Sequence, residues 1–94
     1  MTKAEVVAEV ANKTGVDRSA VLVVVDSFMN TVKNSLLRKE SVYLRGFGSF
    51  IIKERAQKTG RNIAKNTTIV IPAHKVPAFK AAKSFSAIVR TKLK

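Results

Sequence analysis

The sequence predicts an α+β fold made of two N-terminal helices, an antiparallel three-stranded sheet with a protruding β-ribbon arm, and a short C-terminal helix. Three observations predict it. Apolar residues recur every three or four positions through residues 1–40, which is the period of an amphipathic helix. From residue 41 onward, runs of alternating and β-branched residues typical of strands replace that period. A polar stretch without a large apolar side chain separates two of these runs, which predicts the arm.

The first helix is predicted from its two ends. Thr2 and Glu5 have the spacing of a capping box, in which the hydroxyl and the carboxylate each accept a hydrogen bond from a backbone amide at the helix start. Gly15 supplies a left-handed terminus. The residues between them that form the apolar face are Val6, Val7, Val10 and Ala11.

The second helix is predicted to begin after Asp17, placed as its N-cap. Its apolar stripe consists of Val21, Val24, Val25, Phe28, Met29, Val32 and Leu36. The β-branched run Val21–Val25 alone also fits a strand. Continuation of the helical period to Leu36 favours the helix.

This stripe is wider than one short neighbouring helix can cover, and an exposed stripe of that size promotes aggregation. We therefore predict an obligate dimer in which the second helices and parts of the sheet pack across a two-fold axis. The alternative is a monomer whose C-terminal half covers the stripe.

The sheet is predicted from three strand patterns. Residues 42–45 alternate as a half-buried strand, Gly46 and Gly48 permit a sharp bend, and residues 49–52 form the next strand. The strand pattern resumes at Thr67–Ile71. The flanks of the polar stretch can pair as a hairpin, so we expect an arm over about residues 53–70 that projects into solvent.

The C-terminal segment, residues 84–93, is predicted to be an amphipathic helix. Its core-facing residues are expected to be Phe85, Ile88 and Val89. Phe79, in the preceding segment, is expected to face the core with them.

Charge divides the chain into two halves. Residues 1–40 carry six basic and five acidic side chains, whereas residues 41–94 carry twelve basic side chains and one acidic side chain, so the net charges are +1 and +11. Clustered positive charge of this kind is typical of a surface that binds a polyanion such as nucleic acid. Phosphate contact is therefore the expected role of the basic residues.

The arm concentrates this charge on a narrow ribbon. Glu54 is opposed there by five basic residues, Lys53, Arg55, Lys58, Arg61 and Lys65. A two-stranded ribbon fits a groove of duplex DNA. The lone large apolar residue near its tip, Ile63, suggests a wedge that unstacks a base step and kinks the duplex. The alternative is that Ile63 packs against its own hairpin or is a solvated loop residue.

Other classes of function have little support in the sequence. There is no cysteine, so disulfides and thiolate metal sites are excluded. His74 is the only imidazole and has no carboxylate nearby in sequence, so we expect no catalytic residues, no cofactor and no metal site. The first residues lack the apolar stretch of a signal peptide, and no apolar run approaches membrane-spanning length, so the expected location is cytoplasmic, with no membrane partner.

Three segments carry a resemblance to a known family. Gly46–Phe50, Glu54–Asn62 and Ile71–Lys80 are similar to the corresponding segments of the bacterial HU and integration host factor family, and the similarity spans practically the whole chain. The resemblance implies a single domain over residues 1–94 that forms an intertwined homodimer with a helical body and two β-ribbon arms. It also implies a helical dimerisation part over residues 1–40 and a sheet, DNA-binding arm and closing helix over residues 41–94.

The resemblance further implies a histone-like, nucleoid-associated protein that binds double-stranded DNA through the minor groove, bends it and compacts the nucleoid. Nicked, gapped or already bent DNA would be a preferred form. Little sequence specificity is expected, because backbone and shape contacts hold DNA without reading base edges. The alternative function is that of a ribosomal-type RNA-binding basic protein, which would share this composition.

The chain departs from the family pattern in four places. Ile63 stands where the family usually has Pro, Lys58 replaces an Arg, residues 64–66 replace a run that commonly begins with Thr and Gly, and Ala82 replaces a Gly. Lys58 keeps the charge but loses the planar guanidinium. The predicted DNA-binding residues are Arg45, Lys53, Arg55, Lys58, Arg61, Asn62, Ile63, Lys65, Lys75, Lys80 and Lys83.

Overall fold

The computed structural model describes residues 1–62 and 67–93. In order along the chain it contains α1 (Lys3–Thr14), α2 (Arg18–Leu37), β1 (Val42–Leu44), β2 (Gly48–Arg55), β3 (Lys58–Asn62), β4 (Thr67–Ile71), β5 (His74–Ala81) and α3 (Lys83–Lys92). The predicted α+β class is confirmed, but one strand assignment was wrong. The third strand of the sheet is β5, which the sequence pattern did not predict, whereas Thr67–Ile71 pairs with β3 in the arm.

Both predicted ends of α1 are present. The Thr2 hydroxyl accepts a hydrogen bond from the Glu5 amide at 3.3 Å, and the Glu5 carboxylate accepts one from the Thr2 amide at 3.4 Å. At the other end Gly15 adopts φ 75° and its amide donates to the Ala11 carbonyl at 2.9 Å. Together these bonds satisfy backbone groups that a helix leaves free at its ends.

Asp17 is the N-cap residue of α2, as predicted, but its carboxylate makes no capping bond to the backbone. It accepts a hydrogen bond from the Ser19 hydroxyl instead. The position was therefore predicted correctly and the interaction was not, because a nearby hydroxyl donor competes with the helix amides for the same oxygen.

Helix α2 ends in a turn that two hydrogen bonds between Ser35 and Glu40 close. Lys39 has φ 62°, which is uncommon for a residue with a Cβ. The Ser35 hydroxyl donates to the Glu40 carbonyl and the Glu40 amide donates to the Ser35 carbonyl, both at 2.9 Å. This pair of bonds holds the chain as it turns from α2 toward β1.

By length and composition alone, α2 could also cross a bilayer, since it has 20 residues and a mean hydropathy of 1.2. Run length therefore does not by itself separate this helix from a membrane span. Asp26 and Lys33 lie within it, and it packs against α1 and the sheet. Charged side chains are costly in lipid, and the contacts with α1 and the sheet make α2 part of the folded body.

The antiparallel sheet has the strand order β1–β2–β5. Val42 pairs with Phe50, which pairs in turn with Phe79. Because β1 begins at Val42, opposite Phe50, the outer parts of β2 and β5 beyond that pair continue as a ribbon of two strands as far as the pair Arg55 and His74. Strands β3 and β4 form a second antiparallel pair beyond it, from Lys58 opposite Ile71 to Asn62 opposite Thr67. The predicted arm is confirmed as a hairpin.

Aromatic side chains join the sheet to α3. The Phe79 ring lies 5.0 Å from the Phe47 ring and 5.1 Å from the Phe50 ring, and Phe85 of α3 stacks on Phe47 at 5.7 Å. Phe85 is half-buried in this cluster, as predicted, whereas Phe79 joins the cluster but remains 42% exposed in the single chain. Ile88 and Val89 were also expected in the core, but they remain exposed in the single chain, Ile88 by 59 %.

Gly48 is required by this cluster. A Cβ at position 48 would lie 2.5 Å from both the Phe79 ring and the Lys80 carbonyl oxygen, closer than real Cβ contacts. The absence of a side chain therefore lets β5 bring its aromatic ring directly against β2.

Candidate nucleic-acid interface

The register of the sheet sorts the basic residues onto two faces. Residues paired across antiparallel strands point to the same face, and alternate residues along a strand point to opposite faces. One face carries Val42, Leu44, Phe50 and Phe79, and we call it the core face. The other, the open face, carries Tyr43, Ser49, Lys53, Arg55 and Lys80.

The charged residues of the open face within β2 and β5 are all basic. Lys53, Arg55 and Lys80 are exposed there. The one acid of the basic half, Glu54, has the opposite parity and pairs with Lys75 on the other side of the strands. Alternation along β2 thus keeps Glu54, the only acid of this half, off the open face.

Two further cations border the open face at its inner end. Arg45 lies in the turn between β1 and β2, which is closed by a hydrogen bond from the Phe47 amide to the Leu44 carbonyl at 3.0 Å. Gly46, with φ 81°, provides the left-handed conformation this turn needs. The Ala82 amide donates to the Phe47 carbonyl at 2.9 Å, which ties the turn to Lys83 at the start of α3. Arg45, Lys80 and Lys83 line one shallow depression.

Lys75, by contrast, does not lie on the open face. It lines a groove on the other side of the sheet with Leu36 of α2, Ile52 and Pro77. The structure therefore brings Arg45, Lys53, Arg55, Lys80 and Lys83 to one side and places Lys75 on the other. As a DNA contact, Lys75 stays a prediction, and of the body residues it has the least support from geometry.

The arm continues the positive surface away from the body. Lys58 is exposed at the base of β3, opposite Ile71. Arg61 and Asn62 occupy the outer positions of β3, where their backbones pair with Thr68 and Thr67. Ile63 and Lys65, the other predicted arm contacts, lie outside the described residues.

Strand β4, the second strand of the arm, is unexpectedly apolar. Ile69, Val70 and Ile71 are all exposed although they are consecutive and so occupy both faces of the ribbon. Apolar side chains on both sides of a solvent-exposed ribbon suit a partner that approaches it from both sides. The walls of a DNA groove, with their sugar C–H groups, provide such a surface.

The ion pairs found among the described residues all lie in the near-neutral half. Lys3 pairs with Asp26 at 3.0 Å, and the other two pairs are Lys13 with Glu9 and Arg38 with Glu40, each at 3.7 Å. Within residues 1–62 and 67–93 no group of three or more His, Cys, Asp or Glu side chains could hold a metal ion. The basic residues of the open face are thus available to an external anion.

Sequence reasoning missed Tyr43 and Ser49 as members of this face. The signal was present, because Ser49, Lys53 and Arg55 have the same parity along β2. What the sequence did not supply was the register, which sets Tyr43 opposite Ser49 and Ser49 opposite Lys80. The three residues consequently form one row across all three strands.

Known proteins are similar to this chain along nearly its whole length. A family model described as "Bacterial DNA-binding protein" matches residues 1–90. The chain is 39% identical over 90 residues to DNA-binding protein HU of Staphylococcus aureus strain COL, covering 96% of this chain and all of that protein. It is 40% identical over 92 residues to SPbeta prophage-derived DNA-binding protein HU 2 of Bacillus subtilis strain 168, covering 98% of this chain and all of the relative.

Solved structures give the same result for the fold. An Anabaena HU–DNA cocrystal structure is similar over the full length of both chains, with a TM-score of 0.87 and 35% identity. HU from Thermotoga maritima is similar with a TM-score of 0.67 and 26% identity over 95% of this chain and 98% of that one.

Proposed function

Because this chain belongs to the bacterial DNA-binding protein family, we propose that it is a histone-like architectural protein, which binds duplex DNA with little sequence specificity, bends it and helps compact the nucleoid. The observation that carries the proposal is the open face, whose charged residues in the body are all basic and which leads outward into the arm. DNA carries one phosphate charge per ~1.7 Å of helix axis, so it can neutralise such a row along its length.

The proposed contacts fall into two groups. Arg55, Lys58, Arg61 and Asn62 engage the minor groove and its phosphates, while Ile63 props open a base step and Lys65 adds charge near the tip. The flanking backbone is held by Arg45, Lys53, Lys80 and Lys83, with Lys75 as a peripheral member. Most of these contacts are to phosphate, so they position the protein without reading sequence.

The functional unit in this proposal is a homodimer. Phe28 and Met29 on α2, and Phe47 and Phe79 of the aromatic cluster, are more than a third exposed in the single chain. A second copy that covers these side chains would remove apolar surface from water and place two arms on one duplex. The interaction is with DNA and with itself, and the proposed role is non-catalytic.

The proposed location follows from the partner. A protein that binds chromosomal DNA without much sequence preference is expected on the nucleoid in the cytoplasm. The RNA-binding alternative has no support from the relatives, which are named for binding DNA.

The test is a comparison of affinities at one salt concentration, because phosphate contacts make binding strongly salt-dependent. The ligands are an intact duplex, the same duplex with a nick or gap, and its RNA counterpart. We expect the nicked or gapped DNA to bind more tightly than the intact duplex, because a flexible site lowers the cost of bending. Equal affinity for the two DNAs would contradict a bending function, and tighter binding of the RNA would support the alternative.

A further inference from the structure

Tyr43 is the feature of the open face that phosphate binding by lysine and arginine does not explain. It is 76% exposed, on strand β1 at the edge of the sheet. It is also the only tyrosine of the chain. Its neighbours across the strands are Ser49 and then Lys80. A large exposed ring beside a hydroxyl and an ammonium group forms a surface with both apolar and hydrogen-bonding capacity.

The position of Tyr43 is distinct from that of the arm. Strand β1 pairs only with Gly48–Phe50 at the inner end of β2, whereas Arg55 lies at the far end of β2 and Lys58 lies beyond it in β3. Tyr43 instead lines the shallow depression that also holds Arg45, Lys80 and Lys83. The depression is bordered by three cations, and the described ion pairs include none of them.

We propose that Tyr43 is a further DNA-contacting residue, and that it binds the sugar–phosphate backbone of the segment flanking the arm-bound site. The apolar ring packs against deoxyribose, and the phenolic O–H donates a hydrogen bond to a phosphate oxygen, a role in which tyrosine is found in protein–DNA complexes. Lys80, two strands away in the same row, contacts the backbone nearby. This inference rests on the proposed function, since it assigns one more residue to the same DNA surface.

The row has a length that can be compared with DNA. Adjacent strands lie ~4.8 Å apart, so the backbones at Tyr43 and Lys80 are separated by about 10 Å. At ~3.4 Å of axial rise per nucleotide along one strand, this distance corresponds to roughly three nucleotides. Along β2, Ser49, which lies opposite Tyr43, is six residues or about 20 Å from Arg55 at the arm. Tyr43 is therefore expected to contact DNA beyond the arm-bound segment, which makes its contribution dependent on flank length.

The experiment uses the full-length protein and a series of gapped duplexes whose flanks grow stepwise while the central site stays constant. Wild-type, Tyr43→Phe and Tyr43→Ala proteins are compared at one salt concentration. We expect the variants to match the wild type on the shortest duplexes. On the longest, Tyr43→Ala should bind about fivefold more weakly and Tyr43→Phe about twofold to threefold more weakly, as a lost ring contact and a lost hydrogen bond predict.

Because Tyr43 is the only tyrosine of the chain, its side chain can also be followed by spectroscopy. Incorporating meta-fluorotyrosine labels this side chain alone. Its fluorine resonance should shift on addition of the long-flanked duplex and not of the shortest one. Because the shortest duplex and thermal unfolding both report on folded protein, a variant that fails to fold is recognised at once.

Equal affinity of all three proteins on every duplex, or an equal loss on all lengths, would overturn the role of Tyr43 in binding the flank. An unshifted fluorine resonance with DNA bound would do the same. In each of these results wild-type protein still binds DNA, so the proposed function stands. If the wild-type protein binds none of the duplexes, the proposed function itself fails.

Discussion

The two faces of strands β2 and β5 differ although they come from the same stretch of chain. The core face carries Phe50 and Phe79, packed with centroids 5.1 Å apart. The open face carries Lys53, Arg55 and Lys80, which point away from the only acid of the basic half. The difference teaches that a two-residue period is enough to build a hydrophobic core and a polyanion surface from one ribbon. Changes on the core side should therefore affect folding, and changes on the open side should affect DNA binding.

The largest effect on folding is expected from a change that disrupts the apolar surface of α2. Phe28→Asp is expected to destabilise the protein by about 3 kcal/mol or more, because the proposed dimer would bury an unpaired carboxylate in place of an aromatic ring. Sedimentation and thermal unfolding at several protein concentrations measure the effect. The control is Asn30→Asp, which adds the same charge at another exposed position of α2. Equal stability of the two variants would contradict the dimer.

The next largest effect tests the close approach of β5 to β2. Gly48→Ala should destabilise the fold by about 1–3 kcal/mol, because the new methyl group meets the Phe79 ring and a backbone carbonyl. Gly60→Ala is its control, since a Cβ there has its nearest neighbour, the Ile69 carbonyl oxygen, at 4.0 Å. Denaturant unfolding measures both. A loss of stability in Gly60→Ala as large as that in Gly48→Ala would indicate that steric contact is not the cause.

The proposed wedge separates bending from binding. Ile63→Ala should lower the bend angle of a doubly labelled duplex in fluorescence energy transfer and weaken affinity by only about 1 kcal/mol, because the basic contacts remain. The comparison variant is Ile69→Ala, which removes an isoleucine from β4 and should weaken affinity without lowering the bend angle. The wedge is excluded if Ile63→Ala and wild-type protein bend DNA equally.

Two lysines of one strand sharpen the comparison of faces. Lys80→Ala should weaken DNA binding by about 1 kcal/mol and lower the slope of log affinity against log salt by about one, because one phosphate contact is lost. Lys75→Ala removes the same charge from β5 on the opposite face and, as a peripheral contact, should lower the slope by less than Lys80→Ala does. Affinity titrations at four or more salt concentrations measure this slope for both variants. A larger change for Lys75 would move the DNA surface to the other face.

The smallest predicted effect concerns the helix starts. Thr2→Ala should cost about 0.5–1 kcal/mol of stability, because it removes a capping box that is present. Asp17→Ala should cost less, since the Asp17 carboxylate makes no capping bond. Neither change should alter the salt dependence of DNA binding. Thermal unfolding compares them, and a greater loss for Asp17→Ala would contradict the assignment of the two caps.

Much of the fold could be predicted from local patterns. The period of α2, the capping box of α1 and the glycine terminus at Gly15 each depend on a few neighbouring residues, and the structure contains all three. The side-chain bond of Asp17 was not predictable in the same way, because Ser19 competes for the same carboxylate. Local chemistry thus predicts where a helix begins more reliably than which atoms stabilise that beginning.

The candidate site could be predicted only in outline. Charge identified the basic half, and the polar stretch identified the arm, but neither gives strand register. Register places Lys80 and not Lys75 on the face of Ser49, and it depends on pairing between residues more than 20 positions apart, such as Phe50 with Phe79. Long-range pairing of this kind is set by packing of the whole core face, so the sequence pattern alone does not reveal it.

The most direct test of the two-face account uses two adjacent isoleucines. Ile51 lies opposite Ala78 on the open face, and Ile52 lies opposite Pro77 on the core face. In methyl-labelled protein titrated with a gapped duplex, we expect the Ile51 methyl resonance to shift and to show intermolecular contacts with deoxyribose protons, while the Ile52 methyl shows none. Contacts to DNA from Ile52 and not from Ile51 would contradict the assignment of the open face as the DNA-binding surface.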